Sequence, residues 1–474
     1  MTAWLGLAMF AVAIATMVVT GLPFYAVLLG TASAFAALGV AIGAFEWPIL
    51  GALPSRVVGL LEHDLLQAVP LYALTGALLN RLPLATRLHA GGERLFARFG
   101  AAPSLSALAI GALLAPMNGS VGAGLHMLSS RIAPELVRRG VPATEGAATL
   151  CVASTLGIVI PPSLVLLLLG DALMRAHTEA LNLTHAATRV VNTQDVFRAA
   201  LLPGLAVLLA ALIIAAWRGR GRPLPASHPP GRGGVAEIAI VAIGIAALLG
   251  GIAIGWLQAV EAAALAALAL LLRAAWTPGF DAAAWREVLG DAMSLTGLLM
   301  ALLVAATSFS LVLRAFGSDT LVAEGLGRLD GRPALLLGAV LAGIVLCSFV
   351  LDAFEMIFLV VPIVMPPVLA AVPDAAWVAA LTLLVLQAGF LLPPLGYAIV
   401  MSRRLLAIPP PLGALARALA PQLVAQVLVI ACVAAWPALV HWHAGSGTAA
   451  EKPALSDQEA ERLMDEAAGS RPRR

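Results

Sequence analysis

The sequence predicts an all-α polytopic membrane protein, built as an inverted-topology repeat with two re-entrant hairpins and two broken helices. Composition is the first observation: 61% of the 474 residues are hydrophobic, 11% are charged, and the mean hydropathy is +0.96. Soluble domains are about 25% charged, so this chain belongs in a lipid bilayer. The second observation is a pattern that occurs twice within long apolar runs, Gly157-Ile-Val-Ile-Pro-Pro162 and Gly389-Phe-Leu-Leu-Pro-Pro394. The third is a polar cluster that precedes each copy.

A single membrane crossing needs about 20 apolar residues, so most apolar runs of the chain are predicted to span the bilayer once. The runs are Trp4–Val19, Pro23–Ile42, Leu66–Leu79, Leu105–Leu128, Ala143–Leu169, Ala199–Trp217, Ile238–Ile254, Leu257–Leu272, Leu295–Leu313, Ala334–Leu369, Trp377–Val400 and Pro421–Val440. The fourth and the tenth of these runs are not predicted to be ordinary spans.

The fourth run is interrupted by Ala115-Pro-Met-Asn-Gly-Ser-Val-Gly-Ala-Gly124, in which proline, asparagine and three glycines occur close together. Such a segment favours a turn, and we expect it to form the tip of a re-entrant hairpin at about residues 101–130. A single kinked helix is the alternative interpretation.

The tenth run, Ala334–Leu369, is too long for one crossing at about 1.5 Å per residue. Its middle carries the polar cluster Ser348-Phe-Val-Leu-Asp352-Ala-Phe-Glu355. Two carboxylates that faced lipid would be costly, so they indicate a hairpin tip or an inward face. A second hairpin is therefore predicted at about residues 332–372.

Each Gly-x-x-x-Pro-Pro pattern predicts a broken helix, at residues 143–171 and 376–402. Proline removes a backbone donor and clashes with the preceding turn, and we expect the glycine to loosen the helix. Such a break at membrane depth persists only where protein or a watery site satisfies the free backbone groups. Asn118 precedes Pro161 by 43 residues and Asp352 precedes Pro393 by 41. Tip and break thus recur as a unit, which indicates an internal repeat.

The repeat divides the chain into five parts. We assign a first inverted repeat to residues 1–171, a linker helix with an Arg-rich loop to 172–236, and a second repeat to 237–402. A C-terminal membrane helix at 403–442 and a polar tail at 443–474 complete the chain.

Arginine placement predicts the orientation. Arginines cluster after the third run, after the first hairpin, between the repeats and after the second broken helix, at Arg81, Arg87, Arg94, Arg98, Arg131, Arg138, Arg139, Arg218, Arg220, Arg222, Arg232, Arg403 and Arg404. The positive-inside rule places these clusters in the cytoplasm. The first hairpin then enters from the inside and, with an odd number of intervening crossings, the second enters from the outside.

Several chemistries are excluded or unsupported. The only lysine, Lys452, lies in the tail, so a Walker A lysine is impossible. The cysteines Cys151, Cys347 and Cys432 lie in apolar runs and suggest neither disulfides nor a metal site. A net charge of +2 gives no nucleic-acid signal. Aspartate-rich and H-E-x-x-H motifs are missing from the sequence, so we do not expect an enzyme. We also expect neither a cofactor nor a nucleic-acid partner.

At these residues the chain resembles the large membrane subunit of tripartite ATP-independent periplasmic (TRAP) transporters, the DctM-type family. The resemblance extends to about Val440 and rests on motifs at both tips and both breaks. They are Gly111-Ala-Leu-Leu-Ala115, Gly119-Ser-Val-Gly-Ala123, Ala153-Ser-Thr-Leu-Gly157, Ile160-Pro-Pro-Ser163, Leu351-Asp-Ala-Phe-Glu355, Leu386-Gln387 and Phe390-Leu-Leu-Pro-Pro-Leu-Gly396. The first tip departs from the family pattern, because Pro116-Met-Asn118 stands where threonines are usual.

The resemblance implies an elevator-type architecture of the ion-transporter superfamily and the import of an organic acid, with sodium ions as the coupling ions. It also implies a small DctQ-type membrane subunit as a separate chain and a periplasmic DctP-type substrate-binding protein. The expected location is the bacterial inner membrane. The sequence does not identify the acid.

Broken helices can bind ligands in two ways, and these define the candidate site. Free backbone amides at the N-termini of half-helices bind carboxylates, and backbone carbonyls of the unwound segments, together with side-chain oxygens, coordinate a small cation. The alternative is ordinary packing through small polar residues. The candidate substrate-binding residues are Asn118, Ser154, Thr155, Pro162, Ser163, Asp352, Gln387 and Pro394. The candidate sodium-binding residues are Asn118, Gly119, Ser120, Thr155, Gly157, Ser348, Asp352 and Gly389.

Three side chains of the second repeat carry specific expectations. Asp352 and Glu355 share a helix face and could attract a cation, carry a proton or orient the tip; a charged pair at the hairpin mouth is the alternative. Because of the spacing from Pro393, we expect backbone amides of the second break to donate to one carboxylate oxygen of Asp352. We expect a cation or Ser348 to bind the other oxygen. Gln387 could hold a carboxylate, or form an interhelical hydrogen bond.

Two further functions remain open from the sequence. One is a binding-protein-independent organic-anion symporter of the same superfamily. The other is a membrane-embedded enzyme, which has less support because no Ser–His or paired-Asp dyad is evident at membrane depth.

Overall fold

The computed structural model describes residues 2–62, 64–184, 192–222, 233–254, 256–278, 280–327 and 331–441. These residues form helices and connecting turns, without a β-strand among them. The predicted polar tail at 443–474 and Arg232 lie outside the described residues. The all-α class is confirmed.

The helices are as follows. The first half contains α1 Thr2–Thr20, α2 Phe24–Ala41, α3 Leu53–Leu61, α4 Ala68–Arg81, α5 Leu84–Leu95, α6 Ala102–Leu114, α7 Val121–Arg131, α8 Ala133–Arg138, α9 Ala143–Val159, α10 Leu164–Thr184 and α11 Thr193–Arg218. The second contains α12 Gly233–Ile254, α13 Ala259–Ala275, α14 Ala282–Ala315, α15 Ser318–Gly327, α16 Pro333–Cys347, α17 Ala353–Glu355, α18 Val361–Ala371, α19 Ala375–Leu391, α20 Tyr397–Leu405 and α21 Leu412–Ala435. Short 3₁₀-helices lie at Trp47–Ala52, Asp64–Gln67, Ala115–Asn118 and Pro437–Leu439, and a π-helix lies at Met356–Val360.

The described helices can cross a membrane several times. Six are long and apolar enough to do so, and a seventh crossing results when the bent pair α9 and α10 counts as one span. The chain is therefore a multi-pass membrane protein. By contrast, α6, α16 and α19 have only 13, 15 and 17 residues. At about 1.5 Å per residue these helices are shorter than the ~30 Å hydrocarbon core.

Both Pro-Pro motifs interrupt the helical backbone. Helix α9 ends at Val159 and α10 begins at Leu164, with a bend of 40° between them. At both motifs the residue before the prolines is extended, Ile160 at φ −94°, ψ 120° and Leu392 at φ −80°, ψ 119°. A residue before proline disfavours the α region, which explains why each helix stops there. We call Ile160–Ser163 break 1 and Leu392–Gly396 break 2.

Packing sorts most helices into two groups. The core group comprises α6–α11 and α16–α21, in which α9 packs on α19 and both pack on α11 and α21. The outer group comprises α1, α2, α4 and α12–α14, in which α14 packs along α2 and α4. The short helix α5 contacts both groups, since it packs on α6 and on α12.

The same packing pattern occurs twice. Helix α6 packs on α9 as α16 packs on α19, and α10 packs on α18 as α20 packs on α7. We call Ala115–Ser120 tip 1 and Ser348–Asp352 tip 2. Helix α4 contacts tip 1, while α14 contacts α17 and the π-helix that follow tip 2. Tip 1 thus lies between α9 and α4 of the outer group, and the segment that follows tip 2 lies against α14 of the outer group.

Candidate functional site

Glycines bring each broken helix into contact with the adjacent tip. A Cβ on Gly157 would stand 2.8 Å from the carbonyl carbon of Ala115, and a Cβ on Gly389 would stand 2.1 Å from Ser348 Oγ. Both glycines lie inside intact helix, before the break. Our expectation that they loosen the helix is therefore wrong: the prolines end the helix, and the glycines allow tip and helix backbones to meet.

Tip 1 presents a buried amide oxygen. Asn118 is fully buried, and its Nδ2 donates to the carbonyl of Leu114 at 3.0 Å. Its Oδ1 has no hydrogen-bond partner among the described residues. Gly119 follows with φ +77°, which favours glycine, and Ser120 caps α7 by accepting from Ala123 N at 3.1 Å. A buried acceptor without a donor is costly unless a cation or water satisfies it.

The polar residues around break 1 are all buried. Ser154 Oγ donates to the Cys151 carbonyl at 2.9 Å, and Thr155 Oγ1 donates to the Val152 carbonyl at 3.0 Å. These bonds leave hydroxyl lone pairs that can accept a further contact.

Ser163 spans break 1 with its hydroxyl. Its Oγ donates to the Gly157 carbonyl at 2.5 Å and accepts from Leu166 N at 3.4 Å, so it closes the break and caps α10. Pro162 and Pro394 each follow a cis peptide bond, at equivalent positions of the two breaks.

Tip 2 ends in a capping box. Asp352 Oδ1 accepts from the amides of Phe354 and Glu355, both at 2.9 Å, and Glu355 Oε2 accepts from Asp352 N at 2.9 Å. The donors are amides of α17, the helix that follows tip 2. Our expectation that amides of break 2 would donate to Asp352 is therefore wrong. Ser348 does not bond Asp352 either, because its Oγ donates to the Val345 carbonyl at 2.7 Å. Asp352 Oδ2 and Glu355 Oε1 form no hydrogen bond with described residues.

Gln387 lies on another face of α19 from Gly389. Two residues apart on a helix point roughly 200° apart. Gln426 of α21 donates its Nε2 to Gln387 Oε1 at 2.9 Å and to the Leu384 carbonyl at 3.2 Å. Gln387 thus joins α19 to α21, and its own Nε2 is buried without a partner among the described residues.

Tyr397 connects the end of break 2 to the start of α7, just beyond tip 1, and was missed in the sequence. Its ring packs against Phe390 with centroids 5.5 Å apart, and its hydroxyl would stand 2.9 Å from a Cβ on Gly122, just beyond tip 1. Its place as one of three tyrosines, directly after the Pro-Pro-Leu-Gly segment, was the available signal.

Known proteins share this architecture. Over 387 residues the chain is 25% identical to the C4-dicarboxylate TRAP transporter large permease protein DctM of Pseudomonas aeruginosa, covering 80% of this chain and 86% of that protein. It is 24% identical to the sialic acid TRAP transporter large permease protein SiaM of Vibrio cholerae, and the match covers 81% of this chain and 86% of that protein. A crystal structure of the Alcanivorax borkumensis YdaH transporter matches with a TM-score of 0.53 at 16% identity. The match covers 83% of this chain and 87% of that one, so the two share the fold.

The family model for the DctM component of the tripartite ATP-independent periplasmic transporter matches residues 7–439. The relatives are transporter permeases, so the chain belongs to a transporter family and not to an enzyme family. The match covers nearly the whole chain, and the chain is therefore a member of the DctM family, the large permease component of tripartite ATP-independent periplasmic transporters.

Proposed function

We propose that this chain imports an organic acid across the bacterial inner membrane as the large subunit of a TRAP-type secondary transporter. A periplasmic binding protein delivers the acid, a sodium gradient supplies the energy, and the core group moves as an elevator. One observation carries the proposal: each tip lies on the glycine of its own broken helix, twice within one core group.

The proposed topology is an inverted repeat with re-entrant hairpins. The shortness of α6 and α16 supports helices that enter the bilayer and turn back at the tips. The arginines that flank α6–α8 support a first hairpin that enters from the cytoplasmic side, by the positive-inside rule. With an odd number of crossings between the two hairpins, the second hairpin would enter from the periplasmic side.

The elevator proposal rests on the division into two groups. The core group carries both tips and both breaks, so substrate and ions would travel with it. Helix α5, which packs on both groups, would serve as an arm that follows the movement. The outer group, with long helices such as α14, would remain fixed and offer the scaffold surface.

Sodium is proposed to bind at both tips. Asn118 Oδ1 is the strongest single ligand candidate because it is a buried oxygen acceptor without a partner among the described residues. Backbone carbonyls of Gly119 and Gly157 and the hydroxyls of Ser120 and Thr155 would complete the first site. At tip 2 the corresponding candidates are Ser348, Asp352 and Gly389.

The substrate is proposed to be a carboxylate held between the tips and the breaks. The amides at the start of α10 and α20 and the hydroxyls of Ser154, Thr155 and Ser163 suit an anion. Asp352, Gln387, Asn118, Pro162 and Pro394 remain candidates for the same space. The named substrates of the two relatives, a C4-dicarboxylate and sialic acid, are both carboxylates.

The test is uptake by proteoliposomes that contain the purified chain, a DctQ-type small subunit and the cognate DctP-type binding protein. We expect uptake of succinate, sialic acid or a 2-oxo acid to follow an imposed sodium gradient and to ignore ATP. Full uptake driven by a proton gradient alone would contradict sodium coupling. Equal uptake without the binding protein would favour the binding-protein-independent symporter.

A further inference from the structure

A charged cavity of about 380 Å³ lies between the core group and the outer group. Its walls come from α3, α10, α14 and the π-helix that follows tip 2, and it is separate from tip 1 and both breaks. The charged residues that line it are Arg56, Asp171, Arg175, Glu179 and Arg314. Its volume suits a small organic molecule, since ligand pockets hold about 300–1,000 Å³.

One face of α10 carries three ionisable residues at successive turns. Asp171, Arg175 and Glu179 are spaced four residues apart, which places them in a row along the helix. Arg175 Nε donates to Asp171 Oδ2 at 3.1 Å. Ionisable residues within a membrane protein are costly against lipid and usually mark a water-filled path, so this row indicates a path for charged solutes.

The opposite wall is a polar strip of α14. Thr307, Ser310 and Arg314 follow one another at helical spacing and line the cavity. Arg314 forms a two-point ion pair with Glu179, with N–O distances of 3.0 and 3.1 Å, which joins the outer group to the core group. Both side chains are more than a third exposed, so the pair contributes at most about 1 kcal/mol and can open readily.

The cavity is cationic overall. Three guanidinium groups and two carboxylates line it, so the lining carries a net charge of plus one. Arg56 forms no ion pair with any residue that the structure describes, and it projects from the amphipathic helix α3 into this cavity. The π-helical segment contributes Ile357 and Phe358 as an apolar wall. Such π-helical turns occur frequently at functional sites.

We propose that this cavity is an anion-binding vestibule that receives the carboxylate of the organic acid before it reaches the tips. Arg56 supplies an available cation, and Arg175 exchanges its bond with Asp171 for the incoming carboxylate. A planar guanidinium binds a carboxylate in a two-point geometry, which favours arginine here. The inference rests on the proposed function for the identity of the acid, whereas the anion preference of the cavity can be tested without transport.

The direct test measures the electrostatics of the cavity with a cysteine reporter. Ser310→Cys is introduced together with Cys347→Ala and Cys432→Ala, while the buried Cys151 is kept. The purified protein is labelled with an anionic sulfonatoethyl methanethiosulfonate or with a cationic trimethylammonioethyl one. Relative to the rate of each reagent with a small free thiol, we expect the anionic reagent to react at least about threefold faster, because a cationic cleft concentrates anions.

Charge removal should abolish that preference. Arg56→Gln and Arg175→Gln should each lower the anionic-to-cationic rate ratio about threefold, and Arg175→Lys should retain most of it. Arg332→Gln is the matched control, since Arg332 is exposed at the start of α16 and lies outside the cavity. An unchanged ratio in both arginine variants, or a higher normalised rate for the cationic reagent in the parent, would overturn the vestibule.

A second arm uses proteoliposome uptake. Arg56→Gln should raise the KM for the acid by about fivefold at low salt with little change in Vmax, and high salt should reduce the difference. A KM equal to that of Arg332→Gln at every salt concentration counts against the vestibule. If the parent protein transports no acid while its labelling preference holds, the proposed function fails and the vestibule stands.

Discussion

A Cβ atom at Gly389 would lie 2.1 Å from Ser348 Oγ. With Ser348 in its present rotamer, α19 can therefore approach tip 2 this closely only because residue 389 is a glycine. The equivalent glycine, Gly157, differs in what it meets. Its Cβ would stand 2.8–3.1 Å from backbone atoms of Ala115 and Pro116. A serine hydroxyl can rotate away, whereas a backbone cannot.

This difference predicts unequal effects of two equivalent substitutions. Gly157→Ala should lower the stability by about 1–3 kcal/mol and impair uptake, because the helix must move away from tip 1. Gly389→Ala should be milder, and adding Ser348→Gly should restore its thermal stability further by removing the obstructing atoms. Thermal unfolding and initial uptake rates are the measurements. Equal losses in the two alanine variants, with no rescue by Ser348→Gly, would contradict the prediction.

Asp352→Asn should slow uptake at least about tenfold, which corresponds to about 1.4 kcal/mol in the limiting step. Asparagine caps helices nearly as well as aspartate, so α17 should form and membrane insertion should remain normal. The loss then reports the missing charge and not the cap. Glu355→Gln should be milder if Glu355 only orients the tip. If the Asp352→Asn protein inserts well and takes up substrate at the wild-type rate, Asp352 acts only as a helix-capping residue.

Asn118→Leu should raise the sodium concentration for half-maximal uptake by about tenfold, because it removes a buried oxygen proposed as a ligand. Asn80→Leu is the matched control. Its Oδ1 is likewise buried without a partner among the described residues, but Asn80 lies at the far end of α4. Sodium titrations of initial uptake rates distinguish the two. An equal shift in both variants would show that the effect is not specific to tip 1.

Tyr397→Phe should reduce uptake by about fivefold, roughly 1 kcal/mol, since the hydroxyl lies against Gly122 at the start of α7, just beyond tip 1. The ring contact with Phe390 persists in this variant, so the melting temperature should change little. Tyr25→Phe, on α2, is the control. A large loss of thermal stability without a specific loss of uptake would make Tyr397 a packing residue.

His89 predicts an acid-sensitive step in stability. It is buried in α5, outside the membrane-crossing helices, and burial with the Arg139 cation lowers the pKa of this histidine from 6.5 to about 4. The unfolded chain binds the proton more readily, so the free energy of unfolding should fall as the pH drops from about 6.5 to about 4, by roughly 3 kcal/mol.

His89→Gln should flatten that dependence in melting curves recorded in detergent. Glu93 and Arg139, whose side chains are paired at 2.5 and 3.1 Å, should keep α5 attached to α8 in this variant. A pH profile identical to that of the parent would remove His89 as its cause.

The sequence by itself determined the helical class, the positions of both breaks and the location of both tips. These depend on local chemistry: a residue before proline leaves the α region, and an Asp followed three residues later by Glu starts a helix. The resemblance to the DctM family was equally available, because its motifs lie at those same local features, and the family match confirms it.

Only the tertiary structure decided which distant residues meet. It placed Gln387 against Gln426, gave Asp352 the amides of its own helix, and brought Tyr397 beside Gly122. It also aligned the charged face of α10 with Arg314 of α14 and with Arg56. Helical spacing shows that Asp171, Arg175 and Glu179 share a face, but what that face meets depends on how helices far apart in the chain pack together.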